Sequence, residues 1–334
     1  MAFLLVLLSV LAHLGSASAS WAQSPPAPAP PQDAAGCGVV VLDLYPHGDH
    51  LHVADLHTVS VSGGGVCSEA IFLDDFTLIL TVTSPELYVP EGGVAVAGEW
   101  DRAEGRDPPS ARIAAYRLHG DVADDDGAAL AALGREGNDP RLTPDGLGLS
   151  FIRPVGSRGS GSLHRVELDG TAERPILPAL DDAVTHEWVD GETVAILRSG
   201  SPGVLWLAHL SEETLHRVTE DVSPGLARVP DQEAISFVKG DGDQRWVRRM
   251  DALSDSFPML VDTPPGSREH TWMPSGPLGP GPALVMAHEG VLYRFQPGQD
   301  RFWHPILNLN PWVVAVDGFS LSPSGLRLAV VVGG

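Results

Sequence analysis

The chain has 334 residues, of which 43% are hydrophobic and 19% charged, and its formal net charge at pH 7 is −22. This composition is that of neither a disordered acidic polymer nor a membrane protein, and the length suffices for one large domain or two ordinary ones. The negative charge would repel nucleic acid and anionic lipid, which excludes both as main partners. It favours cationic partners but mostly describes a well-solvated surface.

The chain begins with an apolar run from Phe3 to Leu14, followed by small residues. The run is too short to span a bilayer and is typical of a secretory signal peptide, although no Lys or Arg precedes it. We therefore predict a signal peptide at 1–22, a flexible Pro/Ala-rich leader at 23–36 and a folded region at 37–334. The protein is then expected to be exported, periplasmic or extracellular, without stable membrane insertion.

Two cysteines are present, Cys37 and Cys67. In an exported protein an even pair favours a disulfide. Spacing does not prove the bond, because the two Cα atoms must also lie within about 7 Å of each other. A Cys37–Cys67 disulfide is therefore a prediction that depends on the fold.

Histidines crowd one short segment that also contains aspartates: His47, His50 and His52. On a strand, His50 and His52 point to the same face, so a clamp on a divalent metal is geometrically available. Such a site usually needs a third or fourth ligand. The alternative is a solvated hairpin without a metal, and no other cofactor is expected.

A short pattern recurs along the chain, in which a turn containing Pro, Asp or Gly leads into a strand of apolar residues. The copies begin at Pro144-Asp145-Gly146, Asp190-Gly191, Pro230-Asp231, Pro274-Ser275-Gly276 and Pro323-Ser324-Gly325. They lie roughly 40 to 50 residues apart, and each is followed by further short strand-like runs. Four-stranded units at this period are typical of a β-propeller.

The two ends of the chain look like halves of one unit. The last copy has only two strands, and the segment from Val39 resembles the missing pair. Pairing them closes the ring and removes exposed sheet edges. This predicts an all-β, six-bladed β-propeller with four-stranded blades, closed by strands from both termini. The other blades are expected at about Ser68–Leu130, Ala131–Leu180, Asp181–Glu220, Asp221–Pro264 and Pro265–Asn310.

The second unit carries an insertion at 84–110. An insertion in a repeat array normally forms a loop on one face, and such loops often carry binding.

The repeats resemble those of TolB-like propellers, a WD40-like type. The resemblance is carried by Leu142-Thr143-Pro144-Asp145-Gly146, Leu149-Ser150-Phe151 and Val166-Glu167-Leu168-Asp169-Gly170. It covers most of the predicted folded region and implies a six-bladed propeller that is commonly exported. TolB itself has an additional N-terminal α/β domain, for which 23–38 offers no candidate, so the resemblance is to the propeller alone.

The recurring aspartates Asp145, Asp190 and Asp231 suggest a ring of carboxylates at first. Aspartate is, however, favoured in tight turns because its side chain bonds the local backbone. We therefore interpret these residues as turn formers.

The candidate binding residues are Arg141, His186 and His270. In a propeller the first strand of each blade lines the central channel. His186 and His270 each precede a turn, and Arg141 lies in the neighbouring unit, so all three are expected near one mouth of that channel. Peptides or small ligands would bind there.

No Gly-x-Ser-x-Gly elbow, His-Glu-x-x-His, phosphate loop or Cys-x-x-Cys occurs, so no catalytic residue is assigned. The sequence predicts a monomeric, non-enzymatic scaffold of the cell envelope that binds an envelope protein or peptide. The alternative is a metal-dependent, lactonase-like or lyase-like propeller enzyme with its site at the channel mouth.

Overall fold

The computed structural model describes residues 38–60, 66–83, 111–119, 122–124, 135–155, 160–200, 203–241, 244–252, 256–313 and 315–332. Across these ranges all regular secondary structure is β. No helix within them is long and apolar enough to cross a membrane. The predicted signal peptide, the leader and the insertion at 84–110 lie outside the described residues.

Short strands follow one another along the described residues. The first part of the chain forms β1 (Gly38–His47), β2 (His50–Ser60), β3 (Val66–Phe72), β4 (Thr77–Thr83), β5 (Ala111–His119), β6 (Val122–Asp124), β7 (Arg135–Glu136), β8 (Asn138–Leu142), β9 (Gly148–Pro154), β10 (Gly161–Glu167) and β11 (Arg174–Pro175). The middle forms β12 (Ala183–Trp188), β13 (Thr193–Arg198), β14 (Val204–His209), β15 (Thr214–Glu220), β16 (Val222–Arg228), β17 (Ala234–Asp241), β18 (Gln244–Asp251) and β19 (Met259–Asp262). The last part forms β20 (His270–Met273), β21 (Ala283–His288), β22 (Val291–Phe295), β23 (His304–Asn308), β24 (Gly318–Leu321) and β25 (Arg327–Val332).

One sheet joins the two ends of the chain, in the order β2-β1-β25-β24. The pairing of β1 with β25 is antiparallel and places Val40 opposite Val330 and Leu42 opposite Leu328. All four side chains are buried. As predicted, strands from both ends of the described chain pair with each other.

The remaining strands form four further sheets, so the hydrogen-bonded sheets in the described residues number five and not the predicted six. β16–β19 and β20–β23 are four-stranded, β3–β6 gains a fifth strand because β7 pairs with β5, and β8–β15 form one eight-stranded sheet. The merger depends on a single backbone pair, Gly161 with Ala183, which links β10 to β12.

The first strands of the successive groups contact each other in a closed order. β3 contacts β8, which contacts β12, and contacts continue through β16 and β20 to β24, which returns to β3. A closed ring of inner strands is what a propeller requires, with the other strands radiating outward. The molecule is therefore an all-β propeller, and its inner strands surround a central channel.

The core lies between neighbouring sheets. The strand next to the inner strand of each sheet is a nearly continuous apolar run. Examples are Thr77–Thr83 and Ala283–His288, and most of their side chains are buried. A strand packed on both faces needs this pattern, since neither face meets water. One cluster joins Val41 and Val331 of the terminal sheet to Leu80 of β4. Packing between sheets thus fixes the positions of the inner strands.

Candidate functional site

Four of the inner strands depart from regular pairing. Their registers shift at Cys67/Glu69 in β3, Asn138/Arg141 in β8, Ala183/Thr185 in β12 and Val222/Leu226 in β16. Such bulges bend a strand and re-aim its side chains, and they are common beside functional sites. Asp139, inside the β8 bulge, has a φ of 52°, which a residue other than glycine rarely adopts.

Arg141 is the centre of a cluster of charged side chains on these strands. Its Nη2 lies 2.5 Å from Asp139 Oδ1, and its Nε lies 3.5 Å from Glu187 Oε2. The side chains of Arg141, Asp139 and Glu187 are only 18%, 3% and 12% exposed. Removing one member of such a desolvated group leaves an opposite charge uncompensated, which is strongly destabilising.

The surroundings of Arg141 are dominated by carboxylates. Burial acts to lower the pKa of its guanidinium, but the carboxylates outweigh burial and raise that pKa. In decreasing order of effect they belong to Asp139, Glu187, Glu69 and Glu269. Burial likewise acts to raise the pKa of Asp139, yet Arg141 and His186 lower it overall. Asp139 is thus the ionised partner of Arg141.

Glu69 joins the cluster from β3. Its Oε2 accepts hydrogen bonds from the backbone amide of Asp139 at 2.7 Å and from Thr81 Oγ1 at 3.1 Å. Burial, with repulsion from Asp139, raises the pKa of Glu69 to about 7. The Glu69 carboxyl is therefore poised to exchange a proton near neutral pH.

Two more glutamates complete the cluster. Burial raises the pKa of Glu187 to about 7, although Arg141 and, more weakly, Arg228 favour its ionised form. Burial also raises the pKa of Glu269, and repulsion from Asp317 adds to the effect. Glu269 lines a cavity of about 410 Å³ together with Asp317. The acidic groups here outnumber the arginines.

His186 lies behind this cluster, and no part of it is exposed. Its Nδ1 is 2.9 Å from Asp139 Oδ2, and its Nε2 is 2.6 Å from Ser150 Oγ. This order of groups resembles a Ser-His-Asp triad. Ser150 is also completely buried, however, and its Oγ accepts the Trp188 indole N–H at 2.8 Å. Because no substrate reaches that hydroxyl, the hydrogen bonds among Ser150, His186 and Asp139 form a structural network.

His270 heads a second network of the same kind. Its Nε2 is 2.6 Å from Ser236 Oγ, which accepts the Trp272 indole N–H at 2.8 Å. Burial lowers the pKa of His270 to about 4. The imidazole is therefore neutral at physiological pH.

Of the three predicted binding residues, Arg141 and His186 contact the same carboxylate, that of Asp139, whereas His270 lies in a different network. The side chains of His186 and His270 are buried between strands. The residues that follow them, Glu187 and Glu269, interact with Arg141. Successive side chains on a strand point to opposite faces, so adjacent residues cannot share one face. Sequence reasoning missed the glutamates; the His-Glu pair at 186–187 was the available signal.

The other predicted site residues that the structure describes lie in β1, β2 and β3. His47 and His50 face each other at the exposed end of the β1–β2 hairpin, and the ring of His52 stacks on Tyr45 at 5.4 Å. In the described ranges, no group of three or more His, Cys, Asp or Glu side chains could hold a metal ion. A metal bound by these histidines stays a prediction. Cys67 is buried in β3, but Cys37 lies outside the described residues, so the disulfide also stays a prediction.

The aspartates of the repeats do form turns, as predicted. Asp145 Oδ1 accepts hydrogen bonds from Thr143 Oγ1 at 2.6 Å and from the amide of Leu147 at 3.0 Å. Asp190 Oδ1 accepts from the amide of Glu192 at 2.8 Å. These bonds satisfy the local backbone and leave the carboxylates outside the cluster around Arg141.

No protein-family model and no curated protein sequence matches this chain. Solved structures do match. A chain of the nidogen/laminin complex is 10% identical with a TM-score of 0.51, over 89% of this chain and 99% of that one. TolB from Acinetobacter baumannii is 12% identical with a TM-score of 0.46, over 88% of this chain and 63% of that one. An oligogalacturonate lyase in complex with manganese is 15% identical with a TM-score of 0.42, over 64% and 62%.

At these identities the likeness concerns the fold alone. The predicted β-propeller is confirmed by the closed ring of inner strands.

Proposed function

We propose that this chain is an exported, six-bladed propeller that acts as a non-enzymatic binding module, and that its central channel binds a cationic group of a protein or peptide partner. The blade count is supported by the eight-stranded sheet, which divides at its single Gly161–Ala183 pair into two four-stranded groups. Export is supported by the apolar run from Phe3 to Leu14.

The observation that carries the proposal is an imbalance of charge. Arg141 is paired at 2.5 Å with Asp139, so their charges cancel. Three further carboxyls, which come from different parts of the chain, act on the same guanidinium: Glu69, Glu187 and Glu269. Besides Arg141, Arg228 lowers the pKa of Glu187, with a smaller effect. A ligand with a positive charge would complete this arrangement.

The protonation of the cluster gives the ligand a further advantage. Glu69 and Glu187 hold protons near neutral pH because their carboxylates are desolvated and crowded. A lysine or arginine side chain placed among them would favour the ionised forms and release these protons. Binding would therefore strengthen as the pH rises from 6 to about 8.

A short peptide with one central lysine tests the proposal, with the same peptide carrying norleucine as its match. Isothermal titration calorimetry should detect binding of the lysine peptide to the protein and no binding of the norleucine peptide. The double variant Glu187→Gln/Glu269→Gln should weaken that binding by about tenfold or more. Glu212→Gln, an exposed residue outside the cluster, is the control and should bind as the wild type does. Equal behaviour of the two peptides would reject the proposal.

The insertion at 84–110, which connects β4 to β5, is a second candidate contact. A pull-down from envelope extract with the exported protein, repeated without 84–110, tests it. Equal recovery of the same partner would argue against the insertion as a partner site.

The alternative function is an enzyme at the channel mouth. Its specific support is that the pKa values of Glu69 and Glu187, near 7, suit general acid–base catalysis at neutral pH. An assay of lactone hydrolysis with added divalent metal, using the wild type and Glu187→Gln, decides this point. Turnover by the wild type that is lost in the variant would favour the enzyme.

A further inference from the structure

Two hydrogen-bond networks repeat in different blades. In each, a serine hydroxyl lies 2.6 Å from a histidine Nε2 and 2.8 Å from a tryptophan Nε1. The serines are Ser150 and Ser236, and the histidines are His186 and His270. The networks are close enough in geometry that the partners of the two histidines can be compared atom by atom.

Strand register identifies the residue that differs. Ser150 and Ser236 are each paired with a residue of the preceding inner strand. Two positions before that residue stands Asp139 in the first network and Gly225 in the second. Both lie in a bulge and both have a positive φ, 52° and 112° respectively. Gly225 therefore occupies the place that Asp139 holds in the other blade.

With glycine in place of aspartate, the second network lacks a carboxylate that accepts two hydrogen bonds in the first. Asp139 Oδ2 accepts from His186 Nδ1 at 2.9 Å and from the His186 backbone amide at 2.7 Å. His270 Nδ1 has no hydrogen-bond partner in the part of the chain that the structure describes, although His270 is only 7% exposed. A buried ring nitrogen without a partner is unusual and calls for an explanation.

The local geometry shows where the missing group would lie. A Cβ atom on Gly225 would be 3.3 Å from the carbonyl oxygen of Arg268 and 3.8 Å from Glu269 Cγ. The absent side chain thus belongs between β16 and β20, next to His270. Gly225 is half-buried, so the position borders on solvent.

We infer that a carboxylate from outside the chain takes the role at His270 that Asp139 has at His186, and accepts a hydrogen bond from His270 Nδ1. The ligand is a small carboxylic acid or the C-terminus of a peptide. This site is tested separately from the proposed binding of a cation, because its hydrogen-bond donor is His270 Nδ1 and its readout is the His270 resonance, although Glu269 lies beside both.

Formate is the simplest probe of the site. In side-chain ¹⁵N NMR spectra of the whole protein, formate should shift the His270 Nδ1 resonance and raise the pKa of His270 above its value of about 4. His186 should not respond, since Asp139 occupies the equivalent position. If His270 does not respond to formate, the inference is overturned and the position holds water or remains closed.

Two variants exchange the roles of the networks. Gly225→Asp supplies the carboxylate and should abolish the formate response of His270. Asp139→Gly opens the first network and should make His186 responsive. A Gly225→Asp protein that still responds at His270 would contradict the inference. Where either variant fails to fold, the wild-type titration decides.

The source of the carboxylate is distinguished by two peptides that differ only at the C-terminus. If the peptide with a free C-terminal carboxylate shifts the His270 resonance and the amidated peptide does not, the site binds peptide C-termini. A response to formate but to neither peptide assigns it to small acids.

Discussion

Glu69 accepts a hydrogen bond from the backbone amide of Asp139 at 2.7 Å, although the two residues are 70 positions apart. The amide lies in the bulge of β8, where the regular ladder is interrupted. The Glu69 carboxyl therefore satisfies a backbone donor that the sheet leaves unpaired, and at the same time it joins β3 to β8. The charged cluster is thus also a joint between blades.

Glu69→Gln should change how stability depends on pH. The pKa of Glu69 is 4.5 in an unperturbed chain and about 7 in the folded protein. Between these values the folded state binds more protons than the unfolded state, so stability falls as the pH rises. Glutamine keeps an acceptor for the Asp139 amide but does not ionise. Urea denaturation at pH 5 to 8 should show a decline that is smaller by about 1–3 kcal/mol in the variant.

The control for this measurement is Glu212→Gln, an exposed residue away from the cluster, which should retain the wild-type decline. A Glu69→Gln protein whose stability falls as steeply as that of the wild type would show that Glu69 does not retain a proton in the folded state.

Arg141→Met should destabilise the protein by about 3–5 kcal/mol at pH 8, because it leaves the buried carboxylates of Asp139 and Glu187 without a counter-charge. At pH 5 the loss should be smaller, since the glutamates are then protonated. Thermal and urea denaturation at both pH values measure the difference.

An exposed ion pair provides the comparison. Arg217 contacts Glu220, and their side chains are 53% and 47% exposed. Arg217→Met should cost less than about 1 kcal/mol at either pH. A loss for Arg141→Met that is no larger would mean that the cluster is solvated.

The parts of the fold that are encoded locally were predictable from the sequence. Asp145 and Asp190 bond the backbone of their own turns, so each repeat carries its own turn signal. The pairing of β1 with β25 was also predictable, because an unpaired edge at either end of the chain would have been left exposed. The number of hydrogen-bonded sheets was not, since one backbone pair, Gly161 with Ala183, merges two groups.

The site was harder to predict, for two physical reasons. The alternation of side chains shows which residues share a face but not which face lines the channel, so His186 was predicted where Glu187 contacts Arg141. The bulges in the inner strands also shift the alternation locally. Glu69 meets Asp139 across two blades, and no local pattern in the sequence carries information on that contact.

Ser150→Ala and Ser236→Ala should have similar effects, because each serine is the acceptor for a buried indole N–H. Loss of that acceptor should cost about 1–3 kcal/mol in the free energy of unfolding, measured by urea denaturation with an unchanged slope. Ser211→Ala removes an exposed hydrogen bond to Glu192 and should cost little. If the first two variants were as stable as the third, the indole bonds would contribute nothing to the fold.

Leu328→Ala tests the closure of the ring. Leu328 is completely buried in β25, opposite Leu42 of β1 on one side and Leu321 of β24 on the other. Truncation to alanine leaves a cavity in this pairing and should cost about 2–5 kcal/mol. Because β1 and β25 come from opposite ends of the described chain, their separation opens the whole ring. Hydrogen exchange should therefore accelerate for the amides of β1 as well as those of β25.

Leu326→Ala is the matched control, since Leu326 lies two residues away and is 39% exposed. It should change the free energy of unfolding by no more than about 0.5 kcal/mol and leave exchange in β1 unaltered. Faster exchange in β25 alone, with β1 still protected in Leu328→Ala, would mean that β1 is held mainly by β2. The terminal sheet would then stabilise the ring less than the pairing of Leu42 with Leu328 implies.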